Sequence, residues 1–291
     1  MTMVLRARDV MTSRVVSVRP DTTLERARYL LTENRFSALP VVDDRHRLIG
    51  IISTFDLLRA EASPRDASTV GEVMTPDPLS LAPDATVPVI SHRLREYGEM
   101  RVMPIVEGGR GGMLVGVVSR GDLLTPEPSG GPVGRFVQRR RRGGRAGAPL
   151  PGASDVRTGP TVADIMTPYE QVYDLTEDMP VTTAAALLRE YRITAMPILT
   201  EDRHVLGILS EADLVPDTLS GRRTAPPSTV GGAMTQEVTC VRDTCSVSDL
   251  AHSMASNRLR TLPVVDHAGR MVGIVSRGDV LRATAPVGDG S

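Results

Sequence analysis

The sequence predicts an α/β protein built from four copies of one unit of about 60 residues. The first observation is an anchor phrase: Gly, apolar or small residues ending in Ser, two variable residues, then Asp and an apolar residue. It occurs at Gly50–Leu57, Gly116–Leu123, Gly207–Leu214 and Gly273–Val280. The second is its spacing, since the anchor Asp residues are 66, 91 and 66 positions apart. A fixed period indicates repeated structural units, and the longer middle interval divides them into two pairs.

Each copy opens with the same short phrase and continues into a helix. The phrase is of the Val-Met-Thr type and occurs at Val10–Thr12, Val73–Thr75, Ile165–Thr167 and Ala233–Thr235. A short strand follows it, such as Val15–Val18 in the first copy. Thr22 and Glu25 then have the spacing of a capping box, which predicts that a helix begins there.

A hairpin and a second helix complete the unit. A Leu-Pro-Val-Val-like phrase occurs at Leu39–Val42, Met103–Val106, Met196–Leu199 and Leu262–Val265. Because proline cannot donate to a central ladder, we expect it at the first residue of each strand. A polar turn leads to a second apolar strand, and the anchor phrase then begins a helix. Each repeat is therefore predicted to contain a small three-stranded sheet and two helices.

The predicted repeats are residues 5–62, 69–126, 160–218 and 229–285. A unit of this size buries too little apolar surface alone, so we expect repeats 1 and 2 to pair, and repeats 3 and 4 likewise. Residues 127–159 hold eight Gly, four Pro and seven Arg, including the run Arg139–Arg142. That composition predicts a flexible Gly/Pro/Arg-rich linker.

Composition excludes several classes of protein. The formal net charge of -1 argues against a global field for nucleic acid or membranes. No apolar run approaches the roughly 18 residues that cross a bilayer, and the first residues lack a signal-peptide core, so a cytoplasmic protein is expected. All 34 basic residues are Arg, which excludes a P-loop lysine and a lysine Schiff base.

The two cysteines and five histidines do not predict a metal site or a disulfide. No tetrahedral ligand spacing occurs among them, so no metal is expected. Cys240 and Cys245 are expected to be reduced thiols that are buried or half-buried, because disulfides are rare in a reducing cytosol.

The three phrases together, four times in register, resemble the cystathionine-β-synthase (CBS) domain family. The resemblance covers nearly the whole chain except the linker. It implies two Bateman modules, each a CBS pair, with no attached enzyme or transporter. The layout is similar to the four-repeat regulatory gamma subunit of AMP-activated protein kinase.

The resemblance also implies a ligand class and its binding residues. Family members bind adenosine-containing ligands in clefts between paired repeats, which here means AMP, ADP or ATP first and S-adenosylmethionine or a cyclic dinucleotide as alternatives. The anchor Asp takes the ribose hydroxyls, and the motif Ser lies near ribose or phosphate. The candidates are Ser53 and Asp56, Ser119 and Asp122, Ser210 and Asp213, and Ser276 and Asp279. Carboxylates accept strong hydrogen bonds from a diol, and helix starts favour anions.

The same residues have a purely structural interpretation. Ser-x-x-Asp before an apolar run is a capping-box pattern, so all four motifs are also compatible with simple helix starts. Both interpretations stay open at this point, and we expect two or three of the four copies to be competent sites.

Arginines rank the repeats as phosphate sites. The position after the motif Ser and the position three residues before the strand Pro are both arginine in repeats 2 and 4: Arg120 and Arg101, and Arg277 and Arg260. The second of these positions is where the resemblance implies a phosphate-binding Arg. Repeat 1 has Thr54 and Ser37 there, and repeat 3 has Glu211 and Thr194. Glu211 would repel phosphate if its side chain pointed inward. We expect repeats 2 and 4 to bind nucleotide best and repeat 3 worst.

The favoured function is a sensor without enzymatic activity that transmits ligand binding to a protein partner the sequence does not identify. Paired modules of this family associate into discs, so an intramolecular disc or a homodimer is expected. The alternative is binding of nucleic acid or another polyanion through Arg139–Arg142, with structural repeats. Catalysis is not expected, because equivalent Ser and Asp in four copies suit binding better than the distinct roles of a catalytic site. No cofactor is expected beyond the regulatory nucleotide.

Overall fold

The computed structural model describes residues 5–61, 67–97, 100–124, 159–191, 193–215 and 227–284. The predicted linker with Arg139–Arg142 lies outside these residues, apart from Gly159. None of the helices in the described part is both long and apolar enough to span a bilayer. The same residues contain no cluster of His, Cys, Asp and Glu suited to a metal ion.

The first two repeats share one order of elements. Repeat 1 contains α1 (Ala7–Val10), α2 (Leu24–Glu33), β1 (Ala38–Val42), β2 (Leu48–Ser53) and α3 (Thr54–Glu61). Repeat 2 contains α4 (Val70–Val73), β3 (Thr75–Pro76), α5 (Val87–Glu96), β4 (Val102–Glu107), β5 (Met113–Ser119) and a 3₁₀ turn (Gly121–Leu123).

The other two repeats follow the same order. Repeat 3 contains α6 (Val162–Ile165), β6 (Thr167–Pro168), a 3₁₀ turn (Tyr169–Gln171), α7 (Val181–Glu190), β7 (Ala195–Leu199), β8 (Val205–Ser210) and α8 (Glu211–Leu214). Repeat 4 contains α9 (Val230–Ala233), β9 (Val241–Arg242), α10 (Val247–Ser256), β10 (Thr261–Val265), β11 (Met271–Ser276) and α11 (Arg277–Ala283). These small sheets with flanking helices confirm the predicted fold class.

Helix α2 begins one residue later than its predicted capping box. Thr23 is the N-cap, and its hydroxyl accepts a hydrogen bond from the Arg26 N–H at 3.2 Å. The Thr22 hydroxyl instead accepts from the Arg19 N–H at 3.0 Å. The prediction of Thr22 as the cap was therefore wrong, because the preceding turn engages the first of two successive threonines.

The hairpins place proline inside a strand and not at its first residue. Pro40 is the third residue of β1 and lies opposite Ile51 of β2. On the other side of β1, Val18 donates to the Pro40 carbonyl at 3.0 Å and accepts from the Val42 N–H at 2.9 Å. A residue's N–H and C=O point to the same side of a strand, and this parallel bridge uses only the proline's C=O. The missing donor therefore costs no ladder bond.

The opening phrases cross between paired repeats. Strand β3, from the start of repeat 2, pairs antiparallel with β2 of repeat 1, with Thr75 opposite Ile51. Strand β6, from the start of repeat 3, pairs in the same way with β11 of repeat 4. Isolated bridges complete the exchange, Thr12 to Val117 and Thr235 to Ile208. Repeats 1 and 4 therefore receive an outer strand from their partners and have sheets of three and four strands, whereas repeats 2 and 3 have two-stranded hairpins joined to the partner's phrase by an isolated bridge. The sequence assigned every opening phrase to its own repeat.

The crossing brings a methionine onto each anchor glycine. Met74 lies over Gly50, Met11 over Gly116, Met234 over Gly207 and Met166 over Gly273. A Cβ at Gly116 would overlap the Met11 Sδ and stand only 2.9 Å from its Cγ. The anchor position is thus glycine because a side chain of the paired repeat occupies the space of a Cβ.

Two hydrophobic cores join the modules to each other. One combines residues of repeats 1 and 4, including Leu57, Leu58, Val280 and Leu281. The other combines residues of repeats 2 and 3, including Ile90 and Leu188. The two modules therefore pack together within one chain, which is the intramolecular arrangement expected as one alternative. A homodimer stays a prediction.

Both cysteines are free thiols. Cys245 is half-buried, as expected, but Cys240 is exposed. It precedes β9 outside regular secondary structure, so no sheet buries its side chain, and the expectation of burial was wrong for this residue.

We expect Gly116→Ala to lower the free energy of unfolding by about 1–3 kcal/mol, because the new methyl group collides with Met11. Urea denaturation of the single variant, Met11→Ala and the double variant measures this. The double variant should lose less than the sum of the two single losses. Gly278→Ala is the control, since its Cβ would meet its nearest atom at 3.6 Å and lies in a helix. An equal loss in both glycine variants would contradict the interlock.

Candidate functional site

All four motif pairs form the same hydrogen-bonded cap. The Ser N–H and hydroxyl both donate to the Asp Oδ2, at 2.9 and 2.6 Å in Ser53–Asp56 and at 2.7 and 2.7 Å in Ser119–Asp122. The distances are 2.7 and 2.7 Å in Ser210–Asp213, and 2.7 and 2.6 Å in Ser276–Asp279. The structural interpretation of the motif is therefore realised in every repeat.

The cap uses one oxygen of each carboxylate. In repeats 1 and 4 the other oxygen faces an arginine one turn further along the helix: Asp56 Oδ1 lies 3.8 Å from Arg59, and Asp279 Oδ1 pairs with Arg282. Both arginines are about half exposed or more, so these contacts are exchangeable with solvent or a ligand. A helix-starting role thus leaves the second carboxylate oxygen of Asp56 and Asp279 outside the cap, although both side chains are largely buried.

The two positions used to rank the repeats are backbone neighbours. The residue after the motif Ser donates its N–H to the carbonyl of the residue three before the strand Pro. The four bonds run from Thr54 to Ser37 at 3.1 Å, Arg120 to Arg101 at 3.1 Å, Glu211 to Thr194 at 3.2 Å and Arg277 to Arg260 at 3.0 Å. Each repeat therefore presents both side chains from one rigid point beside its cap.

Arg120 and Arg277 are largely buried. Arg120 is 3% exposed and its Nη2 donates to the Leu94 carbonyl at 2.8 Å. Arg277 is 6% exposed, and its Nε donates to the Leu259 carbonyl at 2.7 Å. The pKa of Arg120 is lowered to about 10, chiefly by burial and then by the positive charges of Arg101 and Arg260. Arg120 thus ties its motif to helix α5, and Arg277 ties its motif to the segment that follows helix α10.

An ion pair crosses between repeats 2 and 3. Arg101 Nη2 lies 3.1 Å from Glu211 Oε2, and the two side chains are 15% and 14% exposed. Burial raises the pKa of Glu211, while the charges of Arg101 and Arg120 oppose that shift. Burial also lowers the pKa of Arg101, against the effect of Glu211. Glu211 therefore points inward, which is the orientation in which the sequence ranking expected it to repel phosphate. Its carboxylate, however, pairs with an arginine of the other module.

A cavity of about 820 Å³ lies where the four repeats meet. Of the predicted residues, seven line it: Ser53, Asp56, Arg101, Arg260, Ser276, Arg277 and Asp279. The remaining five do not: Ser119, Arg120, Asp122, Ser210 and Asp213. The structure therefore brings together the motifs of repeats 1 and 4 with an arginine of repeat 2, and leaves the motifs of repeats 2 and 3 outside.

The family model of the CBS domain matches residues 7–63, 70–126, 162–216 and 230–285. The chain belongs to the CBS domain family. Its four CBS domains form two Bateman modules.

Relatives with a single CBS pair match about half of the chain. CBSX2, a chloroplastic CBS domain-containing protein of Arabidopsis thaliana, is 29% identical over 155 residues, which span 44% of this chain and 65% of that protein. The crystal structure of CBSX2 in complex with AMP covers 45% of this chain and 99% of its own at 30% identity, with a TM-score of 0.41.

Two further solved structures are similar to the CBS repeats. Protein MJ1225 of Methanocaldococcus jannaschii covers 96% of this chain and 99% of its own at 18% identity and a TM-score of 0.41. The CBS pair of MJ0100, in complex with 5′-methylthioadenosine and S-adenosylmethionine, covers 41% of this chain and 93% of its own at 23% identity and a TM-score of 0.37.

Several residues of the CBS cavity escaped the sequence reasoning. Phe55, in the repeat 1 motif, lies under the Arg277 guanidinium of repeat 4, which is 4.6 Å from the ring centroid. Tyr173 and Tyr191 of repeat 3 stack with centroids 4.4 Å apart. Thr75 and Thr167 reach the cavity through the crossed opening phrases. Of these residues, only the two threonines could have been identified from the sequence, because both stand in a repeated Met-Thr-Pro phrase.

Ser119→Ala tests the capping role where the cavity plays no part. We expect a loss of about 1 kcal/mol in the free energy of unfolding, since the hydroxyl bond to Asp122 disappears. Thermal and urea denaturation measure it, with Ser129→Ala in the predicted linker as the control. Unchanged stability in Ser119→Ala would mean that the cap contributes nothing.

Proposed function

We propose that this CBS protein binds phosphorylated adenosine ligands in the central cavity and acts as a regulatory sensor. One observation carries the proposal: among the described residues, the cavity lining combines two Ser–Asp pairs with seven arginines and has two carboxylates, those of Asp56 and Asp279. Such a lining attracts a polyanion and supplies acceptors for hydroxyl groups in the same space.

The size of the cavity agrees with a nucleotide. Ligand pockets have volumes of about 300–1,000 Å³, and this cavity is near the upper end of that range. Its wall also contains apolar and aromatic groups beside the charges, among them Ile51, Ile274 and Tyr173. A base fits such groups, while ribose and phosphate need the polar ones.

Asp56 and Asp279 are the proposed ribose acceptors. Their Oδ2 atoms are fixed by the cap, which holds each carboxylate rigid before a ligand arrives. Their Oδ1 atoms face arginines that are about half exposed or more, and a ribose diol can replace those partners. Charge-assisted hydrogen bonds of this kind are about twice as strong as neutral ones.

Arg101, Arg260 and Arg277 are the proposed phosphate contacts. They come from both modules, so the ligand is held between them. Their guanidinium groups present several donors in a fixed plane, which suits phosphate oxygens. This placement differs from the charge ranking, which favoured repeats 2 and 4, because buried Arg120 bonds to a helix carbonyl and does not line the cavity.

The relatives define the ligand class to be tested. CBSX2 binds AMP in its crystal structure, and the MJ0100 pair binds 5′-methylthioadenosine and S-adenosylmethionine. The arginine-rich lining of this chain favours AMP, ADP or ATP over the cationic S-adenosylmethionine.

The proposed signal is a change in how the two modules contact each other. A ligand shifts that equilibrium only by its difference in affinity for the two arrangements. A cavity built from both modules provides such a difference, because movement of one module changes the ligand's contacts. A separate protein, or a second copy of the chain, then responds to the shift.

We expect the double variant Asp56→Asn/Asp279→Asn to bind AMP or ATP at least about tenfold more weakly, because neutral amides replace charged acceptors. Isothermal titration calorimetry measures the affinities. The matched control is Asp122→Asn/Asp213→Asn, which alters two identical caps outside the cavity and should change affinity by less than about twofold. Equal losses of affinity in both variants would mean that the effect comes from weakened helix caps. A larger loss of affinity in the control would support the sequence ranking, in which the repeat 2 motif binds nucleotide.

Adenosine tests the phosphate contacts. We expect it to bind at least about tenfold more weakly than AMP, because the arginines lose their anionic partner. Competition titrations against AMP, at two salt concentrations, measure this. Equal affinity for both, or no binding of AMP, ADP, ATP or S-adenosylmethionine at all, would refute the proposed ligand class.

A further inference from the structure

The Arg101–Glu211 pair stands between the cavity and the contact of repeats 2 and 3. Arg101 lines the cavity, whereas Glu211 does not. Their ion pair, at 3.1 Å with both side chains largely buried, links the first module to the second. An anion in the cavity therefore approaches Arg101 from one side while Glu211 holds it from the other.

The backbone fixes both partners. The Arg101 carbonyl accepts from the Arg120 N–H at 3.1 Å, and the Glu211 N–H donates to the Thr194 carbonyl at 3.2 Å. Glu211 also lies beside the repeat 2 motif, since a Cβ at Gly121 would stand 3.1 Å from its Oε1. A change at this pair on ligand entry therefore involves the side chains of Arg101 and Glu211 and not their backbone.

The other three repeats lack this arrangement. The position after the motif Ser is Thr54, Arg120 and Arg277 in repeats 1, 2 and 4, so Glu211 is the single acidic residue in the set. Its carboxylate interacts with the charges of Arg101 and Arg120 and also with that of Asp122, and Arg260 in turn lies near both arginines. A position beside two arginines also suits a phosphate oxygen.

We propose that Glu211 is an internal competitor for the ligand's phosphate and determines the affinity and charge selectivity of the cavity. A ligand anion takes Arg101 from Glu211 and, in doing so, breaks a contact between the two modules. This inference rests on the proposed function in taking the cavity ligand to be anionic. It adds a reason why a ligand of higher negative charge is selected. Such a ligand must bind Arg101 more strongly than the carboxylate of Glu211, which is already in contact with it.

Inorganic triphosphate is the first probe, because it tests the competition without an adenosine group, and ATP is the second. We expect Glu211→Gln to bind triphosphate about tenfold more tightly than the wild type. The gain should vanish without Arg101, so that Arg101→Gln and Arg101→Gln/Glu211→Gln bind with equal affinity. The double variant also leaves no unpaired buried charge, which protects the test against misfolding.

Glu201→Gln is the matched control, because it removes an exposed carboxylate from the hairpin turn of the same repeat. It should leave the affinity unchanged. Calorimetry gives the affinities, and thermal melts verify that each variant is folded.

Three results would overturn the inference. Weaker or unchanged binding in Glu211→Gln would mean that Glu211 orients Arg101 or plays no part. A gain that persists without Arg101 would be a general charge effect. Absence of triphosphate binding in both the wild type and Glu211→Gln would show that the cavity contains no anion site. If the triphosphate result holds while no adenosine ligand binds, the proposed function fails and the competition stands. If adenosine ligands bind and Glu211→Gln does not change the affinity, the proposed function stands and the competition by Glu211 is refuted.

Discussion

The contact between a methionine of one repeat and the anchor glycine of its partner is the constraint on which the structure depends. It accompanies the crossing of the opening phrases, and the crossing supplies an outer strand to the sheets of repeats 1 and 4. The strand that contains this glycine ends at the motif serine three residues later, so the interlock holds the backbone beside every cap. The positions of Asp56 and Asp279 in the cavity wall therefore follow from a packing contact some distance away.

Four repeats with one backbone plan produce a centre whose sides differ chemically. The caps are alike in all four, but the adjoining side chains differ, and these side chains decide what faces the cavity. On the side of repeats 1 and 4, Arg277 stacks on Phe55 and the space stays open. On the side of repeats 2 and 3, Arg101 and Glu211 neutralise each other across the modules. The four repeats thus share a backbone. The residues after the motif Ser and three before the strand Pro make the two sides of the cavity different.

Much of the fold was predictable from the sequence, because periodicity is a local property of the chain. The repeats, the hairpins and the caps all appear as patterns within about 60 residues. The crossing of the opening phrases was not predictable, since a phrase such as Val73–Thr75 reads the same whether it serves its own repeat or its partner. The cap of α2 was misplaced for a smaller reason, namely two adjacent threonines with equal capping ability.

The candidate site was predictable only in part for the same physical reason. Motif residues were identified by type, but their exposure depends on contacts between distant parts of the chain. Arg120 was expected to contact phosphate, and the structure gives it a helix carbonyl instead. Glu211 was expected to repel a ligand, whereas its partner Arg101 is 110 residues away in sequence and invisible to any local pattern.

The division of labour within each motif carboxylate has a consequence for how such sequences evolve. One oxygen starts a helix and the other is available for chemistry, so a repeat that stops binding still needs the same aspartate to fold. Selection for stability then preserves the signature after its ligand is gone. Under the proposed function, a count of signatures therefore exceeds the number of ligands per chain, because binding depends on the residues around the carboxylate, and these residues change without such restraint.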